Sequence, residues 1–409
     1  MVFINQISKL RWGLAILLSL AASVGYSQSR DRLRGERLQM VEDYLEKEGI
    51  SNPRVLTVMR YVPRHEFVSS QSKKYAYEDM ALSIGYKQTI SPPFIVAYMT
   101  QMIDPQPSEK VLEVGTGSGY QAAVLSGLAK EVYTIEIVEP LGRQAAKRLE
   151  SLGYKNVFPK VGDGYQGWKE HAPFDKIIVT CSPEKVPQPL IDQLKEGGKM
   201  IIPLGQRYQQ VFYLFEKRDG KLKQTQLIPT LFVPMTGTSE IQRRIKPDPL
   251  NPKVVNGGFE LDNNSDGRAD SWHYQRQTEL VAENAPSGKA YIKFKNQFPG
   301  RMSQALQGMA LDGRKVDAVK IIVSYQMRGV APGHEKHHQP GVMIHFYDSV
   351  RRTIGEELIG PMTGTQSWAK TVRKISVPKN TREAIIRIGL NGGTGELSLD
   401  DIRLEKVGR

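Results

Sequence analysis

The segment KVLEVGTGSGY, residues 110–120, constrains this chain more than any other stretch. Val111, Leu112 and Val114 form a short apolar run of the kind that is buried in a sheet. Gly115, Gly117 and Gly119 follow in alternation. Glycine reaches φ > 0 without a Cβ clash and lets a ligand approach the backbone closely. A helical pattern begins at Tyr120, so the unpaired N–H groups of a helix start stand behind the glycines. Strand, glycine turn and helix in this order make a site for a nucleotide-type cofactor. Nicotinamide-binding domains share such a turn, so the cofactor has to be identified from other residues.

The segments around this one alternate between strand and helix. Residues 131–137, 156–161, 174–180 and 199–203 read as strands, and residues 140–152 and 187–194 as helices. Residues 209–233 read as two or three antiparallel strands that finish the sheet. This pattern predicts a doubly wound, Rossmann-like α/β domain whose ligand lies at the carboxyl ends of its strands. Ahead of it, residues 29–48 predict an amphipathic helix ending near Gly49, and residues 53–60 a second short one. Pro92 and Pro93 mark an extended-to-helix junction, with a helix from there to about Met102.

Beyond Arg244 the pattern changes. Residues 246–253 hold three prolines in KPDPLNPK and read as a linker. After it come short alternating runs at 290–295, 319–327, 342–348, 384–390 and 397–405, separated by Gly, Pro, Asn and Asp. These predict an all-β sandwich. The expected organisation is a leader-like segment at 1–27, an α/β domain at 30–244, a linker at 245–253 and a β-sandwich domain at 254–409.

Bulk composition mainly excludes. Lys and Arg number 56 against 43 Asp and Glu, a net charge of +13, but they are dispersed, which argues for a solvated basic surface and against a nucleic-acid partner. The single cysteine, Cys181, rules out intramolecular disulfides and cysteine-rich zinc sites. Near the N-terminus, Lys9 and Arg11 precede the apolar run 13–24, twelve residues long and short for a bilayer span. Ser23 with Gly25, or Gly25 with Ser27, would serve as a cleavage site. The segment therefore predicts export with no stable transmembrane span after processing. An uncleaved anchor or a cytoplasmic protein with a misassigned start is the alternative.

Two acidic residues narrow the cofactor. Glu136 ends the strand after the glycine turn, seventeen positions beyond Gly119, where a carboxylate can accept both ribose hydroxyls of an adenosine. Asp163 ends the next strand, within reach of an adenine ring. The pair suits S-adenosylmethionine, an adenosine without pyrophosphate.

At this point the chain resembles the protein-L-isoaspartate O-methyltransferase family over about residues 55–244. The resemblance is carried by MRYVPRHEFV (59–68), AYEDMALSIGYKQTISPP (76–93), LEVGTGSGYQAAVL (112–125), GDG (162–164), VPQPLIDQLKEGGKMIIPLG (186–205) and FVPMTG (232–237). It implies methyl transfer from S-adenosyl-L-methionine to the free carboxylate of L-isoaspartyl residues in damaged proteins, which starts repair through a succinimide. It implies Ser91 as the catalytic residue. Cofactor contacts are then expected from Thr89, Ile90, Ser91, Glu113, Gly115, Thr116, Gly117, Gly119, Glu136, Ile137, Asp163, Gly164 and Thr236. Ser91 also reads as a helix cap ahead of Pro92, and His65 as a structural histidine. The run Cys181-Ser182-Pro183-Glu184 departs from the small residues common in the family there.

The last region resembles exported carbohydrate-binding-type jelly-roll modules, through VNGGFELDNNSDGRADSW (255–272) and LDDIRLE (399–405). That resemblance implies a structural calcium, for which Glu260 and Asp400 are the candidate ligands, with solvated turn carboxylates as the alternative. Trp272, Tyr274 and Trp368 would form a carbohydrate platform or belong to the core, and core is the expectation. His334, His337 and His338 are expected in a flexible polar loop, with a transition-metal site as the alternative. Two other functions stay open: methyl transfer to another carboxylate or small molecule, and an exported carbohydrate-binding protein whose methyltransferase domain is inactive. Export itself sits awkwardly with a cofactor made in the cytoplasm.

Overall fold

The computed structural model describes residues 31–408; the leader-like segment at 1–27 lies outside them. Helix α1 (Arg34–Met40) continues through a π turn at Val41–Leu45 and a 3-10 turn at Glu46–Glu48, ending at Gly49 with φ +98°. Helix α2 (Pro53–Tyr61) starts where the Asn52 side chain accepts from Arg54 and Val55 N–H, a side-chain cap followed by proline at the first helical position. Among the described residues no helix is long and apolar enough to cross a membrane.

The α/β region holds a seven-stranded sheet in the order β5-β4-β3-β6-β7-β8-β9. Its members are β3 (Lys110–Val114), β4 (Glu131–Glu136), β5 (Val157–Val161), β6 (Phe174–Val179), β7 (Leu194–Gln206), β8 (Gln209–Arg218) and β9 (Lys221–Thr230). The first five positions pair in parallel, and β7-β8-β9 pair antiparallel. Helices α4 (Tyr120–Ser126), α5 (Glu139–Ser151) and α6 (Gln188–Gln193) provide crossovers, and α3 (Pro93–Ile103) packs on the sheet from upstream. The order reverses between β3 and β6, which opens a crevice at their carboxyl ends. Strand β7 is longer than residues 199–203 suggested, because it continues through Gly197 and Gly198 at one end and into the hairpin with β8 at the other.

A separate hairpin, β1 (Leu82–Gly85) and β2 (Gln88–Ile90), precedes α3. Its turn places Tyr86 at φ +51° and Lys87 at φ +63°, the left-handed pair that a tight hairpin needs.

The C-terminal region is all β. One sheet orders β10-β13-β18-β15-β16 and the other β11-β12-β19-β14-β17, and every pairing is antiparallel. The strands are β10 (His273–Arg276), β11 (Thr278–Val281), β12 (Tyr291–Asn296), β13 (Gln304–Ala310), β14 (Ala318–Ala331), β15 (Gly341–Tyr347), β16 (Thr353–Ile359), β17 (Gly364–Ser376), β18 (Glu383–Gly389) and β19 (Thr394–Val407). Buried Phe294, Val323 and Leu399 from one sheet meet Ile344, Phe346 and Ile386 from the other in one apolar core. Residues 246–253, between the regions, carry no helix or strand. The Val255–Glu260 stretch forms no strand, but the Gly257 carbonyl accepts from Ile402 N–H at 2.9 Å and so lies beside β19.

Trp272 is fully buried, stacks on Phe259 at 5.5 Å and donates from Nε1 to the Asn256 carbonyl at 2.9 Å. It ties the irregular opening of the region to its core. Trp272→Ala is expected to cost about 3–5 kcal/mol, measurable as a lowered denaturation midpoint at unchanged slope. A loss below about 1 kcal/mol would show that the opening segment does not depend on this ring.

Candidate active site

Strand β3 delivers a carboxyl group and a turn to the same place. Val111, Leu112 and Val114 are buried, as the apolar run requires, and Glu113 between them is fully buried too. The turn then takes φ +102° at Gly115, +54° at Gly117 and +91° at Gly119. A Cβ on Gly115 would lie 2.5 Å from Thr180 Oγ1, so both the conformation and the space demand glycine. Thr180, just beyond β6, donates its hydroxyl to the Gly115 carbonyl at 2.7 Å and locks the turn to the neighbouring strand.

Glu136 closes the turn from the other side. Its Oε2 accepts from Gly117 N–H at 2.8 Å and its Oε1 from Val138 N–H at 2.9 Å. The residue is 6% exposed, and burial raises its pKa although the backbone donors oppose the shift. Each oxygen still has a lone pair for a ligand donor.

One cavity joins these groups to the upstream segment. It is lined by Thr89, Ile90 and Ser91, by Glu113, Gly115, Thr116 and Gly117, by Glu136 and Ile137, and by Gly164 and Thr236. Eleven of the thirteen residues expected at the cofactor therefore share one cavity. Gly119 and Asp163 do not line it. Gly119 stands at the start of α4 against the Leu149 side chain. Asp163 uses Oδ1 to accept from Tyr165 N–H at 3.0 Å, and Oδ2 to accept from the Thr238 hydroxyl at 2.7 Å and its N–H at 3.0 Å.

The cavity floor is a buried polar chain. Thr134 donates to Glu113 Oε2 at 2.6 Å, and Thr116 Oγ1 lies 2.6 Å from Thr134 Oγ1. Glu113 Oε1 has no hydrogen-bond partner among the described residues. Burial, with the charge of Glu136 adding to it, pushes the Glu113 carboxyl up to about 8. The floor thus carries a neutral carboxyl at neutral pH.

The upstream wall answers the question of Ser91. The helix start at α3 is capped by Asp79, whose Oδ1 accepts from Phe94 N–H at 2.9 Å. Ser91 is therefore not the cap, and its hydroxyl makes no hydrogen bond among the described residues. The far wall is residues 233–236, held because Ser182 N–H donates to the Val233 carbonyl at 2.8 Å and Met235 N–H to the Ser182 carbonyl at 3.0 Å. Cys181 lines the cavity as a protonated thiol, its pKa raised by burial.

Sequence reasoning missed Gln121, which lines the cavity and has a buried, unpartnered Oε1. A lone glutamine in the apolar run of α4 was the available signal. His65 is structural, with Nδ1 2.6 Å from the Tyr77 hydroxyl.

In the β region both candidate calcium ligands, Glu260 and Asp400, engage the loop at 287–290. Glu260 Oε1 accepts from Lys289 and Ala290 N–H, and Asp400 accepts from Ser287 and Asp401 N–H. Among the described residues no group of three or more His, Cys, Asp or Glu is placed to hold a metal. Trp272 is core, Tyr274 packs against the α/β region, and Trp368 packs edge-on against Tyr291, so the three rings form no shared platform for carbohydrate.

Glu113 makes the site's state readable through pH. Unfolded, its carboxyl titrates near 4.5; folded, near 8. Both states are protonated below about 4.5, so burial then carries no ionisation cost. Between about 4.5 and 8 only the unfolded chain ionises, and stability falls as pH rises. Glu113→Gln removes this term. Its melting temperature is expected to gain on the parent across that window and run parallel above it. A difference independent of pH would contradict the buried neutral carboxyl.

The family model for protein-L-isoaspartate(D-aspartate) O-methyltransferase matches residues 36–240. A protein-L-isoaspartate O-methyltransferase 1 of Cupriavidus necator is 50% identical over 234 residues, 54% of this chain and 90% of that protein. A protein-L-isoaspartate O-methyltransferase 2 of a Polaromonas species is 55% identical over 186 residues, 45% of this chain and 88% of that protein. A crystal structure of a Plasmodium falciparum protein-L-isoaspartate O-methyltransferase in complex with S-adenosyl-L-homocysteine aligns with 26% identity and a TM-score of 0.44, over 49% of this chain and 98% of that one. The chain is an enzyme of the protein-L-isoaspartate(D-aspartate) O-methyltransferase family.

Proposed function

We propose that the chain transfers a methyl group from S-adenosyl-L-methionine to the free carboxylate of L-isoaspartyl residues in damaged proteins. The observation that carries this reading is one cavity shared by the Thr89-Ile90-Ser91 segment and the Glu136 strand end. The family's own reaction supports it.

The residues fit the methyl donor. Glu136 has a lone pair on each oxygen for two ribose hydroxyls, and Gly115 and Gly117 line the cavity with no side chain of their own. Thr116 and Ile137 flank the same place. When bound, S-adenosylmethionine supplies a sulfonium-activated methyl group.

The remaining chemistry is positioning. A carboxylate with a pKa near ~4 is already ionised at neutral pH and requires no general base. Ser91, whose hydroxyl makes no hydrogen bond among the described residues, donates to one carboxylate oxygen and leaves the other free to accept the methyl group. The cavity walls exclude water and orient the nucleophile. The ester formed has a better leaving group than the acid. The neighbouring backbone nitrogen then closes a succinimide, and its hydrolysis returns part of the material to normal aspartate.

Transfer of labelled methyl from S-adenosylmethionine to an isoaspartyl peptide and to its aspartyl twin tests the reading. Label is expected in the isoaspartyl peptide alone; equal labelling, or none, contradicts it. Ser91→Ala is expected to lower kcat/KM by about tenfold or more, since loss of a positioning contact acts on the oriented complex. Parent-like turnover in that variant would remove Ser91 from the mechanism.

A further inference from the structure

Strand β10 is the place where the β region reaches the walls of the cavity. It is four residues long, yet three of its side chains face the α/β region. His273 is fully buried, and its Nε2 donates to the Tyr208 carbonyl at 2.9 Å. The Tyr274 hydroxyl donates to the Leu231 carbonyl at 3.0 Å, next to the segment that becomes the far wall. Arg276 donates from Nε and Nη2 to Asp79 Oδ2, each at 3.3 Å.

A regular strand cannot do this, because successive side chains alternate between faces. Strand β10 does it through a local break. Tyr274 takes φ +51°, and pairing with β13 shifts register between His273 and Arg276. Bulges of this kind re-aim side chains. A tyrosine at positive φ is a strained choice, held only where its surroundings fix it.

Arg276 makes the most consequential contact. Its side chain is 5% exposed and that of Asp79 is 7% exposed, so the pair is buried at the junction of the two regions. The guanidinium also lies over the Phe94 ring, 3.8 Å from its centroid. Asp79 is the same residue that caps α3 through Phe94 N–H. Arg276 therefore holds Asp79 and Phe94 together from outside, three residues past Ser91. A point-charge replacement cannot reproduce both the fork and the flat stacking.

We infer that strand β10 braces both walls of the cavity, and that Arg276 is a positioning residue for the Thr89-Ile90-Ser91 segment. The C-terminal region is then part of the catalytic apparatus, acting through Asp79 and Tyr274. The kinetic half of this inference rests on the proposed function; the geometric half does not.

Full-length Arg276→Gln and Arg276→Lys test it, with Asp79→Asn as a milder variant that keeps the Oδ1 cap should the glutamine variant fail to fold. Deuterium exchange should quicken at residues 88–96 in Arg276→Gln, and kcat/KM for the isoaspartyl peptide should fall by about ten- to a hundredfold. Arg276→Lys should recover part of both. Parent-like exchange at 88–96 together with parent-like kcat/KM in the folded variants, whatever their melting temperatures, overturns the inference. If the parent protein labels neither peptide, the proposed function fails, and the brace stands or falls on the exchange at 88–96.

Discussion

The carboxylate of Glu136 is the interaction on which the site depends. The glycine turn has three consecutive alternating residues at positive φ, a shape with little intrinsic preference for itself. Glu136 takes one N–H from inside that turn and one from the chain leaving β4. It is pinned from behind as well, because a Cβ on Gly142 in α5 would stand 3.2 Å from the Glu136 Cβ. One side chain thus sets the turn, the exit from the strand and the approach of a helix. A ligand that uses its remaining lone pairs meets a preformed acceptor.

Two carboxyl groups share this small volume, and burial raises the pKa of both. At Glu136 backbone N–H donors oppose the shift, whereas Glu113 has only the Thr134 hydroxyl against it and is held neutral. The carboxyl held by backbone N–H groups thus stands at the strand end, where an adenosine would offer hydroxyls. The Thr116–Thr134–Glu113 chain beneath it satisfies polar groups that an apolar floor would not contain, and it leaves Glu113 Oε1 without a partner among the described residues. The walls are arranged from a distance: Asp79 and Arg276 secure one, Ser182 and Tyr274 the other.

Much of this was legible in the sequence, and the reasons are physical. Strands β3, β4 and β6 are buried on both faces, and the sequence shows it in short apolar or β-branched runs such as Val111-Leu112 and Ile177-Ile178-Val179. The glycines announce a turn because repeated positive φ, with the Thr180 hydroxyl crowding Gly115, favours residues without a side chain. The strands that escaped detection are polar or unevenly buried. Strand β17, GTQSWAKTVRKIS, is mostly exposed, and β16 mixes exposed and half-buried positions with one buried residue. Strand β10 reads as His-Tyr-Gln-Arg, a polar sequence buried through contact with another region. Local rules also point to Ser91 as the helix cap, but the group that does it lies fifteen residues before Phe94. Arg276 and Asp79 are separated by 197 residues, and no local pattern joins them. Periodicity and turn chemistry report on neighbours in the chain, whereas caps and braces of this kind are set by the tertiary fold.

The central claim is that the glycine turn and Glu136 together form the seat of an adenosyl methyl donor. Calorimetric titration of the folded protein with S-adenosyl-L-homocysteine, in the parent and in Glu136→Ala, tests it most directly. The account predicts saturable one-to-one binding in the parent and an affinity lower by about tenfold or more in the variant, as expected for loss of hydrogen bonds to a charged acceptor. Equal affinity in the two folded proteins, or no binding by the parent, would contradict it.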